Sequence, residues 1–211
     1  MTKRKIKKTK SEPWNKGCKV GQRDPFKPGE VKRIRKMLIK RGSIGIRDLA
    51  IFNTALDTML RSPDLLGLRV KDVRKRNRIM RDTIDILIRG RPMQCTLSES
   101  AKDALEQWID YDNKKPNEYL FTGRIGGRTT PIRSRTLNRQ IKGWAEAIGL
   151  EDGSYGIETL RRTRALHILK HTGSMEAVRV LLGLANIGTA ARYLYDTNPV
   201  DAIGISRTYE I

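Results

Sequence analysis

The sequence of 211 residues predicts an α+β fold that is mainly α, with one small antiparallel three-stranded sheet. Three observations point there. After Pro28, apolar residues recur every three or four positions through most of the chain, the spacing of helices with one buried face. Only between Val70 and Leu97 does the period shorten toward two, around a glycine-containing linker. The length and a hydrophobic content of 38% suit a single domain with a real core.

The elements follow in order. Residues 1–28 predict a flexible basic arm. Met1–Lys10 holds six Lys/Arg and no acid, and Ser11–Pro28 is rich in Gly, Pro and polar residues, too little apolar surface to offset ordering entropy. Trp14 and Phe26 are the arm residues expected to pack on the domain, which occupies 29–211. Glu30–Lys40 reads as a helix with Val31, Ile34, Met37 and Leu38 inward. Asp48 is expected to cap a second helix through Leu49, Phe52, Leu56 and Met59. Ser62-Pro63-Asp64 starts a short helix through Leu65, Leu66 and Leu68.

Val70–Val73, Asp82–Ile88 and Gln94–Leu97 are the expected strands, the last two joined by a turn at Arg89–Pro92. Ser98 caps a helix to Asp112 that turns Ala101, Leu105, Trp108 and Ile109 inward. Tyr119–Phe121 is a short extended piece before a Gly/Arg-rich loop. Thr136–Ile148 is helical and stopped by Gly149. Thr159–His171, Ser174–Leu182 and Gly188–Tyr195 close the domain as three helices.

Charge narrows the function. With 43 Lys+Arg against 23 Asp+Glu, the net charge is +20. A field of that size attracts polyanions, nucleic acid first among them. Cys18 and Cys95 offer neither a disulfide framework nor metal spacing, and His167 and His171 alone make a zinc site improbable, so no metal or cofactor is expected. No apolar run approaches a membrane span and the N-terminus lacks a secretory core, which predicts a cytoplasmic protein without membrane contact.

Three short segments carry chemistry. Arg61 ends an apolar helix in L-R-S-P-D-L-L-G-L-R-V-K-D-V at 60–73; there it either caps helix carbonyls or clamps an anion. E-T-L-R-R-T at 158–163 opens an amphipathic helix with an arginine pair. L-L-G-L at 181–184 is followed by R-Y-L-Y at 192–195, which places Tyr193 nine residues after Leu184. A lone tyrosine there would be ordinary core.

Taken together and in this order, these segments resemble the catalytic domain of the tyrosine recombinases, the phage-integrase family, in its minimal single-domain form. The resemblance spans about Trp14 to the C-terminus. It implies that Arg61 and Arg161 clamp a DNA phosphate, that Tyr193 attacks it, and that the three meet in space. It further implies double-stranded DNA as partner, a homo-oligomer on that DNA as an option, and no energy source. Lys3, Arg4, Lys5, Lys7 and Lys8 of the arm, with Arg162 and Arg164, are the expected contacts to the DNA backbone.

Three positions depart from the family pattern. Glu158 stands where the H-x-x-R box has histidine, and Leu184 where the L-L-G-H corner has histidine. The hairpin I-L-I-R-G-R-P at 86–92 offers Arg89 and Arg91 in place of a lysine. Guanidinium donates hydrogen bonds but, with a pKa above about 12, is a poor general acid. These changes predict weakened strand cleavage and rejoining. A catalytically degenerate DNA-binding protein on the same fold is the second reading, and a basic RNA-binding protein the third.

Overall fold

The computed structural model of the chain describes residues 23–88, 90–123, 130–150 and 154–195, except the side chains of Arg91 and Tyr195. Helices dominate it. Helix α1 (Pro28–Lys40) begins where the Glu30 carboxylate accepts from Lys27 N at 2.8 Å, and it buries Ile34 and Leu38.

Helix α2 (Ser43–Thr58) is the hub, packed by α1 and by α5 (Glu99–Tyr111). It starts five residues before the expected cap. Gly45 explains this: a Cβ there would lie 1.8 Å from Leu38 O, so only glycine lets α1 and α2 approach this closely. Asp48 is therefore buried inside α2 rather than capping it, satisfied by Arg47 at 3.1 Å and by Trp144 Nε1 at 3.4 Å. At the other end Met59 takes the left-handed conformation, φ 50°, and stops the helix.

Helix α3 (Ser62–Gly67) follows as expected. Val70–Val73 is not a strand but the one-turn helix α4. Asp72 accepts from Arg69 N at 2.7 Å, and Val70 and Val73, three apart, are both buried. The sheet accordingly has two strands among the described residues, not three. Strand β1 (Thr83–Ile88) pairs antiparallel with β2 (Arg91–Thr96), from Thr83 opposite Thr96 to Ile88 opposite Arg91. Gly90, at φ 76°, lies in the turn.

Ser98 caps α5, accepting from Ala101 N at 3.4 Å, while its own N and Oγ donate to Asp57 on α2 at 2.8 and 2.5 Å. Of the expected extended piece only Tyr119 pairs, in an isolated antiparallel bridge with Arg69, and Leu120 and Phe121 follow as bends; Trp108 Nε1 donates to Leu120 O at 2.7 Å. Helix α6 (Ser134–Glu146) turns Leu137, Ile141 and Trp144 inward, the Trp144 ring meeting Phe52 edge-on at 5.8 Å. Helices α7 (Ile157–Thr172), α8 (Met175–Leu181) and α9 (Ile187–Tyr195) complete the domain.

Two apolar clusters result. The large one joins α1–α6, the hairpin and the first turn of α7. The small one, Met59, Ala165, Val178, Leu182 and Leu194, holds the last three helices together. Arg23–Lys27 are attached to the domain: Phe26 is buried, stacks on Tyr155 at 5.2 Å, and its N donates to Thr163 Oγ1 at 2.8 Å.

Candidate active site

The candidate site forms where the two clusters meet. Helix α7 starts tightly. A Cβ on Gly156 would lie 1.7 Å from Arg23 Nη1 and 2.5 Å from Asn138 Oδ1, so this glycine lets the segments at Arg23, Asn138 and α7 share one corner. Ile157 N donates to Asn138 Oδ1 at 2.9 Å, fixing the first turn. Glu158 is the second residue of the helix, a position favourable for a carboxylate beside unpaired N–H groups. Arg161 follows one turn later on the same face.

Arg161 is buried and held from two sides. Its Nε donates to Met59 O at 2.6 Å, and its Nη1 donates to both Glu158 oxygens at 2.9 and 2.8 Å. The left-handed turn at Met59 ends α2 here, and its carbonyl receives the guanidinium. Tyr193, from α9, points into the same place: its hydroxyl donates to Glu158 Oε2 at 2.8 Å, and Arg161 Cζ lies 5.6 Å from its ring centroid. Burial pushes the Tyr193 phenol well above its ordinary value; the Arg161 charge opposes this and Glu158 adds to it. In this state Tyr193 is neutral and half-buried.

Arg61 stands two residues beyond Met59, at most about 7.6 Å away along two trans peptides. The bond from Arg161 to Met59 thus brings the Arg61 and Arg161 segments to one corner, although they are far apart in sequence. The Arg61 side chain is half-buried at the start of α3 and makes no hydrogen bond or ion pair to another described residue.

Leu184 packs into the small cluster, and its carbonyl accepts from Arg179 Nη1 at 2.8 Å. It also lines a cleft of about 370 Å³ with Met93 and Pro92 of the hairpin and with Arg179 of α8. The hairpin and the Leu184 corner therefore line one cleft, to which the Leu184 side chain brings no donor. Arg89 lies outside the described residues, as does the Arg91 side chain. So do Lys3, Arg4, Lys5, Lys7 and Lys8.

Arg162, expected at the DNA backbone, is buried, and its guanidinium donates to Arg23 O at 2.9 Å and to Leu194 O at 2.7 Å. It ties α9 to α7 and to the segment before α1. Its guanidinium satisfies two backbone carbonyls that no helical N–H reaches, Arg23 O before α1 and Leu194 O at the end of α9. Arg164 is half-buried, its enclosed Nε without a hydrogen-bond partner among the described residues. Sequence reasoning missed Met59, whose contribution is a backbone carbonyl and leaves no side-chain signal. Among the described residues no group of three or more His, Cys, Asp or Glu side chains could hold a metal ion, and no helix is long and apolar enough to cross a membrane.

Comparison with known proteins agrees with this arrangement. The profile described as the phage integrase family matches residues 26–198. Tyrosine recombinase XerC of Shewanella amazonensis is 29% identical over 153 residues, 71% of this chain and 49% of that protein. XerC of Corynebacterium efficiens is 30% identical over 152 residues, 71% of this chain and 46% of the relative. The chain thus spans about half the length of the curated relatives it matches. Among solved structures, XerA recombinase superposes with a TM-score of 0.69 at 19% identity, covering 90% of this chain and 67% of that one. XerH site-specific recombinase bound to its difH substrate, a pre-cleavage complex, gives 0.68 at 19% identity, with 89% and 55% covered.

Proposed function

The chain belongs to the phage integrase family, and on that premise we propose that it cleaves and rejoins double-stranded DNA through a covalent link to Tyr193. The observation that carries this is the convergence of Tyr193 and Arg161 on one carboxylate, beside the corner that bears Arg61. A nucleophile and a guanidinium that share one anionic oxygen are arranged as phosphoryl transfer needs them.

In the proposed reaction Tyr193 Oη forms a bond to the scissile phosphorus and the bond to the 5′-oxygen breaks. The phenolic proton passes to water, and the leaving 5′-oxygen takes up a proton. Arg161 and Arg61 carry the charge that builds on the non-bridging oxygens. The 5′-hydroxyl of another strand then attacks the phosphotyrosyl link and releases Tyr193. The phosphodiester energy is kept throughout. Leu184, packed in an apolar cluster, supplies no donor, and removal of one such group typically lowers rate by about 10²–10³. The enzyme is accordingly slow. The basic arm at 1–28, with Lys3, Arg4, Lys5, Lys7 and Lys8, adds sequence-independent affinity for the duplex. The Tn1549 transposon integrase is in complex with circular intermediate DNA in its structure, and this chain is assigned the same partner class, acting in the cytoplasm.

The test is covalent trapping on a pool of nicked duplexes and of duplexes with a 5′-bridging phosphorothiolate. A DNA-linked protein band that survives denaturation, and is lost in Tyr193→Phe, is the expected result. DNA affinity with a steep salt dependence but no such band would refute it and favour the degenerate DNA-binding reading.

A further inference from the structure

We propose that the Glu158 carboxylate occupies the seat of the scissile phosphate in the DNA-free protein. There it holds Arg161 and Tyr193 in their working positions until a phosphate displaces it. The inference rests on the strand-transfer reading, and it gives the family-atypical acid a role other than catalytic base.

Three observations lead to it. The first is coordination. Glu158 Oε2 receives the Tyr193 hydroxyl at 2.8 Å and Arg161 Nη1 at 2.8 Å, the pair of contacts that an attacked phosphate would make with nucleophile and clamp. The second is an asymmetry of anchoring. The Arg161 side chain is 5% exposed and fastened to Met59 O, whereas the Glu158 side chain is 40% exposed and only one turn into its helix. The acid can swing out; the guanidinium cannot.

The third observation is charge. A carboxylate and a phosphodiester on the same guanidinium repel one another, so Arg161 serves one anion at a time. Were Glu158 instead the base, it would have to stay beside Tyr193 while the phosphate occupied the site.

Inorganic phosphate is the probe. Its binding is titrated on the full chain by NMR of the Arg161 guanidinium, in wild type, Glu158→Gln and Glu158→Ala. Thermal unfolding checks that each variant is folded, and either variant suffices. Phosphate should bind about tenfold more tightly once the competing charge is gone, with the Arg161 Nη signals shifting on titration. DNA-adduct formation should rise in parallel. Equal phosphate affinity in wild type and variants, or a gain to which the Arg161 signals do not respond, would overturn the proposal. So would an adduct rate that falls in Glu158→Gln, since that is the behaviour of a lost base. If the phosphate results come out as expected but no protein forms a Tyr193-linked adduct, the anion seat is upheld and the strand-transfer reading fails.

Discussion

The two apolar clusters hold different parts of the same site. The large one takes in Leu60 and Leu65, on either side of Arg61; it is built from fully buried Phe52, Trp144, Leu105 and Ile51 across several elements. The small one carries Tyr193 on α9, and its buried members are Met59, Ala165, Val178, Leu182 and Leu194. Arg161 bridges them, with its helix in both clusters and its Nε on Met59. Arg61 therefore sits on the larger body and Arg161 at the seam, while the nucleophile rides on the part with less buried surface. Local opening follows buried contact density, so α8 and α9 are expected to open at lower free energy than α2.

The comparison breaks most visibly under truncation of each cluster. Phe52→Ala removes a fully buried ring and its edge contact with Trp144, and should cost about 3–5 kcal/mol of global stability, read by denaturant unfolding. Leu194→Ala should act locally. Its expected signature is faster amide exchange confined to α8 and α9, a loss of covalent adduct, and near-normal protection in α2 and α5. If Leu194→Ala instead lowers protection throughout, the two clusters are one cooperative unit.

The tie between the clusters is the next largest effect. Arg162→Gln leaves Arg23 O and Leu194 O without their charged donor, a loss of roughly 2–3 kcal/mol. Because α9 is released while Arg161 keeps Met59, the variant should lose adduct formation more than DNA affinity. Trapping and equilibrium binding measured side by side test this. A loss of DNA affinity equal to the loss of adduct would return Arg162 to the DNA-facing role expected from its sequence position.

What the sequence made legible follows the same division. Helix faces such as Ile34/Leu38 and Leu137/Ile141/Trp144 were readable because a period of apolar residues reports burial directly. The order of Arg61, Arg161 and Tyr193 was readable from motif spacing. Val70–Val73 was not, because two valines three apart suit either a buried strand or one helical turn. The deciding bond, Asp72 to Arg69 N, is a local capping choice that β-branched composition masks. The start of α2 was hidden because Asp48 looks like a cap until Gly45 is seen against Leu38 O. The inward turn of Arg162 was hidden for another reason. Its acceptors are backbone carbonyls from segments distant in sequence, and no side-chain pattern announces them.

Alkaline pH gives the smallest expected effect, and it separates the clusters without large structural change. Cys95 belongs to the large cluster, is buried on β2, and has Sγ 3.6 Å from Thr58 O. Burial, with Asp64 and Asp85 adding to it, pushes its thiol from 9.0 up to about 11. A raised pKa means that the folded protein holds its proton more tightly than the unfolded chain. The associated stability is complete below pH 9 and is lost as pH rises through about 11. At pH 10 the loss is on the order of 1 kcal/mol. Tyr193 has the same sign but starts from 10.0 and extends to higher pH, and its deprotonation is felt in the small cluster. Cys95→Ala should therefore flatten the decline in global stability between pH 9 and pH 11, as followed by denaturant midpoints. Tyr193→Phe should leave that decline in place and instead suppress alkaline loosening of α9, as followed by amide exchange. If Cys95→Ala leaves the slope unchanged while Tyr193→Phe removes it, the alkaline weak point lies in the small cluster and the large one is insensitive to its buried thiol.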